Sequence, residues 1–156
     1  MTWLVIGSNS FSGASFCAHL LKSGEEVVGT SRSDEVALPF RPYGWDNLTG
    51  GFQFKKIDIN HNLDGLMALI AKLKPRFIVN YAAQSMVGQS WEHPEDWMMT
   101  NAVSTTKLFE RLCHIDHLDR YVHVTTPEVY GSTDGWINED KAFNPSTPYA
   151  VSRAAG

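Results

Sequence analysis

The chain has 156 residues, 43% of them hydrophobic, with 13 lysines and arginines and a formal charge of −4. That length suits one domain and leaves no room for a second, and the basic residues are scattered rather than blocked, which argues against a nucleic-acid partner or a membrane surface. The two cysteines, Cys17 and Cys113, stand far apart without framework spacing, as expected of a reduced, cytoplasmic protein.

The apolar start at 3–6 is too short for a membrane span and lacks the basic lead of a signal peptide, so it reads as a buried first strand. Apolar runs then alternate with helical patterns, the signature of βαβ units. Strands are predicted at 3–6, 26–30, 52–57, 77–81 and 121–125. Most are continuous apolar runs, as in a parallel sheet covered on both faces. A first helix starts near Ser12, puts Cys17, Leu20 and Leu21 on one face and ends at Gly24. A second covers 63–73, with Leu66, Met67, Ile70 and Leu73 at helical spacing, and stops before Pro75. A third is predicted from Pro94 to about Cys113, with Met98, Ala102, Thr105, Phe109 and Leu112 along one face. Between 33 and 51, Pro39, Pro42, Gly44, Gly50 and Gly51 predict a long loop with at most a short helix. The last residues, 149–156, open a helical pattern without a terminator, so the chain reads as part of a longer protein.

Gly7-Ser8-Asn9-Ser10-Phe11-Ser12-Gly13 links the first strand to the first helix. Gly7 permits a tight turn, and Gly13 lets helix and strand pack closely. The helix N-terminus offers N–H groups and a positive dipole end to a pyrophosphate. Ser10 stands where a full fingerprint has its middle glycine; it brings the backbone less close and can add a hydroxyl donor. The second strand ends Gly29-Thr30-Ser31-Arg32-Ser33. An acidic residue there would hold the ribose hydroxyls of NAD, whereas a guanidinium between two serines suits a 2′-phosphate. NADP is therefore expected over NAD, and Asp34 just beyond keeps NAD open.

Four stretches occur in one order: Gly7 to Gly13, Asn80-Tyr81-Ala82-Ala83-Gln84-Ser85, Thr125-Thr126-Pro127-Glu128-Val129-Tyr130-Gly131 and Pro148-Tyr149-Ala150-Val151-Ser152-Arg153. Together they make the sequence resemble the extended short-chain dehydrogenase/reductases. The run Ala83-Gln84-Ser85-Met86-Val87-Gly88-Gln89-Ser90-Trp91-Glu92 is most similar to the GDP-mannose 4,6-dehydratase branch of the nucleotide-sugar 4,6-dehydratases, with Met86 in place of a histidine common there. The resemblance implies an α/β fold, a doubly wound, Rossmann-like parallel sheet with the cofactor across the carboxyl ends of its strands. It implies an NAD(P)-binding domain over 1–156, cut before a substrate domain, a nucleotide-sugar substrate, and a homodimer in the full-length protein. Gly7, Ser10, Phe11, Gly13 and Arg32 would serve the cofactor, Asp58 and Ile59 would border its adenine, and Ala82 and Ala83 would pass close to it.

The same resemblance implies that Thr126 holds the sugar's 4-hydroxyl and that Tyr149 removes its proton as hydride leaves C4. Glu128 would choose the reaction. A 4,6-dehydratase needs a carboxylate base for the C5 proton at the carboxyl end of a strand, and Glu128 follows the fifth strand. Water would then leave from C6 and the hydride would return there. Related epimerases and reductases usually have a small or hydrophobic residue at that position. Two departures stand out. Pro127 replaces an acid or hydroxyl often found beside the glutamate, and Arg153 replaces the lysine of Tyr-x-x-x-Lys. At i and i+4 on a helix, Tyr149 and Arg153 share a face, where a cation favours phenolate. Arginine keeps the charge but is planar and bulkier than an ammonium. The rival readings are an epimerase or reductase of the same superfamily, and a non-catalytic NAD(P)-binding module. Cys113-His114-Ile115-Asp116-His117 is too crowded to converge on one tetrahedral ion, so no metal is expected. Trp97 is expected in packing or an interface, while Trp91 and Trp136 are free to stack on a base or sugar.

Overall fold

The computed structural model describes residues 1–45, 48 and 50–156. Five strands, β1 (Thr2–Ile6), β2 (Glu26–Ser31), β3 (Phe52–Lys56), β4 (Phe77–Asn80) and β5 (Arg120–His123), form one parallel sheet in the order β3-β2-β1-β4-β5. β1 is central, with Leu4 in register with Val28 on one side and Ile78 on the other. The helices are α1 (Phe11–Lys22), α2 (Leu63–Leu73), α3 (Pro94–Met98), α4 (Thr105–Leu112) and α5 (Pro148–Ala155). This is the parallel sheet of βαβ units that the alternating pattern predicts and the Rossmann-like α/β architecture that the resemblance implies. The order of strands reverses direction at β1, and the carboxyl end of that strand is where such sheets bind ligands.

The described residues divide into two compact units, Met1–Ala82 with Glu110–Val124, and Ala83–Phe109 with Thr125–Gly156. The first unit holds the sheet. Strand alternation sends Val5 and Val27 to one face, where they pack with Ala14, Cys17, Ala18, Leu20 and Leu21 of α1 and with Tyr43. Trp3 stacks on Phe77 with ring centroids 4.4 Å apart and meets Phe16 edge-on. Leu4, Ile6 and Ile78 alternate to the opposite face and are fully buried, as are Leu66 and Ile70 of α2. α1 ends where the sequence places its stop: Gly24 takes φ +77°, and the N–H groups of Gly24 and Glu25 close back onto Leu21 and Leu20. In the stretch 33–51, where a loop with at most a short helix is predicted, the described residues form two short 3₁₀ turns, Leu38–Phe40 and Pro42–Gly44; positions 46, 47 and 49 lie outside the described residues.

The third helix differs from its prediction. It is not one regular helix; α3 and α4 are joined by a π-helical segment, Met99–Ser104. The wider turn rotates the buried stripe, so Trp97, Thr100, Asn101, Ser104, Thr105, Leu108 and Leu112 are buried while Phe109, predicted on the inner face, is exposed. The strand ends also shift. β4 stops at Asn80 rather than Tyr81 because the Asn80 side chain accepts the Ala82 N–H at 2.9 Å and turns the chain. β5 runs from Arg120 to His123, leaving Val124 with one ladder bond to Asn80 and Thr125 outside the strand. Among the described residues, no helix is long and apolar enough to cross a membrane.

Candidate functional site

In the first unit the loop after β1 is built by close approach. Gly7 has φ +83°, and a Cβ there would lie 2.5 Å from the Ala82 nitrogen, so only glycine lets the loops after β1 and β4 touch. A Cβ on Gly13 would overlap the Gly7 carbonyl oxygen. Gly7, Gly13 and Ala82 thus come together at the carboxyl end of β1. Ser10 caps α1: its hydroxyl donates to the Gly7 carbonyl at 2.8 Å and accepts from the Gly13 N–H at 3.0 Å. Its hydroxyl is therefore engaged within the loop rather than turned to a phosphate. The N–H groups of Phe11 and Ser12 open the helix with no acceptor among the described residues, at the positive end of its dipole. The Phe11 ring is 89% exposed.

The segment after β2 carries Arg32, which is exposed. The Asp34 carboxylate, the possible acid for a ribose, pairs with Lys56 at 3.0 Å. After β3, Asp58 accepts the Asn60 N–H at 2.8 Å and pairs with His61 at 3.1 Å, and Ile59 is buried. Burial pushes the Cys17 thiol up to about 12 and raises the Tyr43 and Tyr81 hydroxyls, that of Tyr43 with help from Glu35.

The second unit begins at Ala83 and contains Thr126, Glu128, Tyr149 and Arg153. Thr126 caps a 3₁₀ turn, Pro127–Tyr130, by accepting the Glu128 N–H at 3.4 Å. Proline opens that turn because its fixed φ and missing donor suit a first helical position. Val129 anchors the turn, fully buried, and leaves Glu128 exposed at a cleft of about 190 Å³ with Ser132, Ser146 and Thr147. Thr147 caps α5 by accepting the Ala150 N–H at 3.0 Å, and Pro148 follows at the first position. On α5, Tyr149 and Arg153 are one helical turn apart and only 9% and 4% exposed. The Thr125 hydroxyl donates to the Arg153 carbonyl at 3.1 Å, so the segment bearing Thr126 and Glu128 is tied to the helix bearing Tyr149.

Sequence reasoning missed the residues that hold this arrangement. Asn101, in the π-helical segment, is fully buried. Its amide nitrogen donates to the Gln84 carbonyl and to the Ser152 hydroxyl, both at 2.9 Å, and its oxygen accepts the Gln84 N–H at 2.8 Å. Ser152 passes the chain on to the Tyr149 carbonyl at 2.7 Å, and Ser90 accepts the Tyr149 N–H at 3.2 Å. The available signal was a run of Thr100, Asn101, Ser104 and Thr105 where a helix of this kind buries apolar side chains. The expectation for Trp97 holds: it is buried in this unit, while Trp91 and Trp136 are exposed.

The family model described as GDP-mannose 4,6 dehydratase matches residues 4–156. The chain belongs to that family. A dTDP-glucose 4,6-dehydratase from Xanthomonas campestris pv. campestris is 31% identical over 99% of this chain and 46% of its own length. A UDP-glucose 4-epimerase from Mycolicibacterium smegmatis is also 31% identical, over all of this chain and 49% of its own. The solved UDP-glucuronic acid 4-epimerase from Bacillus cereus, in complex with UDP-glucuronic acid and NAD, superposes with a TM-score of 0.82 at 28% identity, covering 99% of this chain and 49% of that one. The chain therefore spans about half the length of the curated relatives it matches. The family thus includes both dehydratases and epimerases among its nucleotide-sugar enzymes.

Proposed function

We propose that the chain is the NAD(P)-binding domain, with its catalytic tyrosine helix, of a nucleotide-sugar 4,6-dehydratase. The observation that carries the choice over an epimerase is Glu128. It sits on a capped turn, exposed, at a cleft with Ser132, Ser146 and Thr147, and has no ion pair among the described residues. NADP is the proposed cofactor, because the end of β2 offers Arg32 and the two acids that follow, Asp34 and Glu35, are paired with Lys56 and Arg41. NAD remains the alternative, and it is the cofactor named for the similar epimerase structure.

The cofactor supplies hydride acceptance from C4 and return of that hydride to C6. The chain's residues handle the protons. Gly7, Gly13 and the free N–H groups of Phe11 and Ser12 suit the pyrophosphate, while Ser10 keeps the loop in shape. Asp58 and Ile59 are assigned to the adenine edge, and Ala82 and Ala83 to the close approach of the cofactor. Thr126 orients the 4-hydroxyl and Tyr149 takes its proton, with Arg153 one helical turn further along the same helix. Glu128 removes the C5 proton once C4 is a ketone. Pro127 has no proton to give, so water or protonated Glu128 delivers one to the departing C6 hydroxyl, water leaves, and hydride return to C6 is completed by a proton from solvent at C5. The full-length protein is proposed to be a cytoplasmic homodimer with a separate substrate domain.

The test is Glu128→Gln in the full-length protein with nucleotide-sugar substrates. The variant is expected to lose 4-keto-6-deoxysugar formation by at least about a hundredfold while reduced nicotinamide still accumulates from C4 oxidation. Dehydration at the unmodified rate would remove Glu128 from the mechanism. A wild-type protein that only inverts C4 would favour the epimerase reading.

A further inference from the structure

We infer that Asn9 is a positioning residue that sets cofactor preference, by fixing the Arg32 segment against the phosphate loop. Asn9 lies in the turn between β1 and α1, outside every assignment made above. Its backbone N–H donates to the Ser31 hydroxyl at 3.1 Å. Its side-chain nitrogen donates to the Ser33 hydroxyl at 3.1 Å and to the Asp34 carbonyl at 2.8 Å. These three bonds reach residues on both sides of Arg32 and attach them to the loop assigned to the pyrophosphate. The Asn9 carboxamide oxygen is buried with no partner among the described residues. The side chain is therefore used for its two donors, at the expense of its acceptor, and the donors go to the segment around Arg32.

The consequence concerns the 2′-phosphate. An exposed arginine on an untethered loop must give up its own freedom and that of its backbone when it clamps a phosphate. Asn9 removes the backbone part of that loss in advance. It also keeps the Ser33 hydroxyl oxygen occupied as an acceptor, so its hydrogen is left to donate outward, a polarity that suits a phosphate. The Lys56 pair holds the Asp34 carboxylate, whose charge would otherwise oppose the same phosphate. The Asn9 contribution therefore falls on NADP rather than NAD. This inference rests on the reading of Arg32 as the 2′-phosphate contact.

Equilibrium titration of the chain with NADP and with NAD, repeated for Asn9→Ala, Asn9→Leu and Arg32→Ala, separates the two claims. Both Asn9 variants are expected to weaken NADP about fivefold to tenfold, the worth of one to two hydrogen bonds, with NAD changed less than about twofold. Asn9→Leu keeps the side chain's bulk, so agreement between the two variants excludes a cavity effect, and a thermal melt checks that both remain folded. Equal weakening of NADP and NAD would overturn the inference, since Asn9 would then support the phosphate loop alone. Loss of NADP preference in Arg32→Ala without any in the Asn9 variants would also overturn it while leaving Arg32 in place. If Arg32→Ala leaves NADP binding unchanged, the NADP reading fails and the Asn9 inference fails with it.

Discussion

The two units are held by different physics. In the unit built on the sheet, the buried side chains are mostly apolar: Leu4, Val5, Ile6, Leu21, Leu66, Ile70 and Ile78 are all essentially inaccessible. Its candidate site is made of backbone, with glycines at close approaches and a helix end offering N–H groups. In the unit that carries Tyr149, much of the interior is polar, with Ser90, Thr100, Asn101, Ser104, Ser152 and Arg153 buried. Its candidate site is made of side chains whose positions are set by hydrogen bonds. A site of backbone needs a rigid, apolar support beneath it. A site of proton-transferring side chains needs its helix fixed in angle and register, which directional bonds do and non-directional burial does not.

The largest expected effect tests the apolar side of this contrast. Ile78→Ala in the sheet should destabilise the chain by about 3 kcal/mol, from lost transfer energy and a residual cavity. Urea unfolding reads this directly, and a loss below about 1 kcal/mol would mean that the sheet unit does not depend on that core. Asn101→Ala tests the polar side. It strands the Gln84 N–H and carbonyl in a part-buried setting, with an expected cost of about 2 kcal/mol and faster amide exchange at Gln84. Wild-type exchange at Gln84 in the variant would show that the Asn101 bonds do not hold that segment.

A pH dependence also belongs to the sheet unit, where Cys17, Tyr43 and Tyr81 all lie. Burial moves the Cys17 thiol from 9.0 to about 12 in the folded chain. The folded state thus holds this proton more tightly than the unfolded state does. Its stabilising contribution is complete below about pH 9 and is lost as pH rises toward about 12. The raised tyrosines act in the same direction at higher pH. Cys17→Ala should therefore flatten, without abolishing, the alkaline fall in the unfolding midpoint. At neutral pH a thiol reagent should label exposed Cys113 in the native chain and reach buried Cys17 only on unfolding. Rapid native labelling of Cys17 would contradict its burial.

Much of the sheet unit was legible in the sequence because its determinants are local. Continuous apolar runs mark central parallel strands, Gly24 ends α1, Pro75 stops α2, and the glycine spacing after β1 marks the loop. The outline of the second unit came from its resemblance to a family, and its interior was not legible. A π-helical turn has no apolar period of its own, so the stripe through Ala102 and Phe109 was assigned on a regular helix that the chain does not form.

The sequence by itself determined the alternation of strands and helices and the glycine spacing of the loop after β1. These follow from periodicity and backbone permissiveness, both readable along the chain, whereas the roles proposed for Glu128, Tyr149 and Arg153 come from the resemblance to a family. Tertiary structure alone decided that the Ser10 hydroxyl is engaged in a cap, that Asn9 reaches across to Ser33 and Asp34, that Asp34 is paired with Lys56, and that Asn101 ties Gln84 to Ser152. The Ser10 cap apart, which is local, each of these depends on which polar atoms meet across long sequence separations, and hydrogen bonds leave no periodic trace in the sequence to announce their partners.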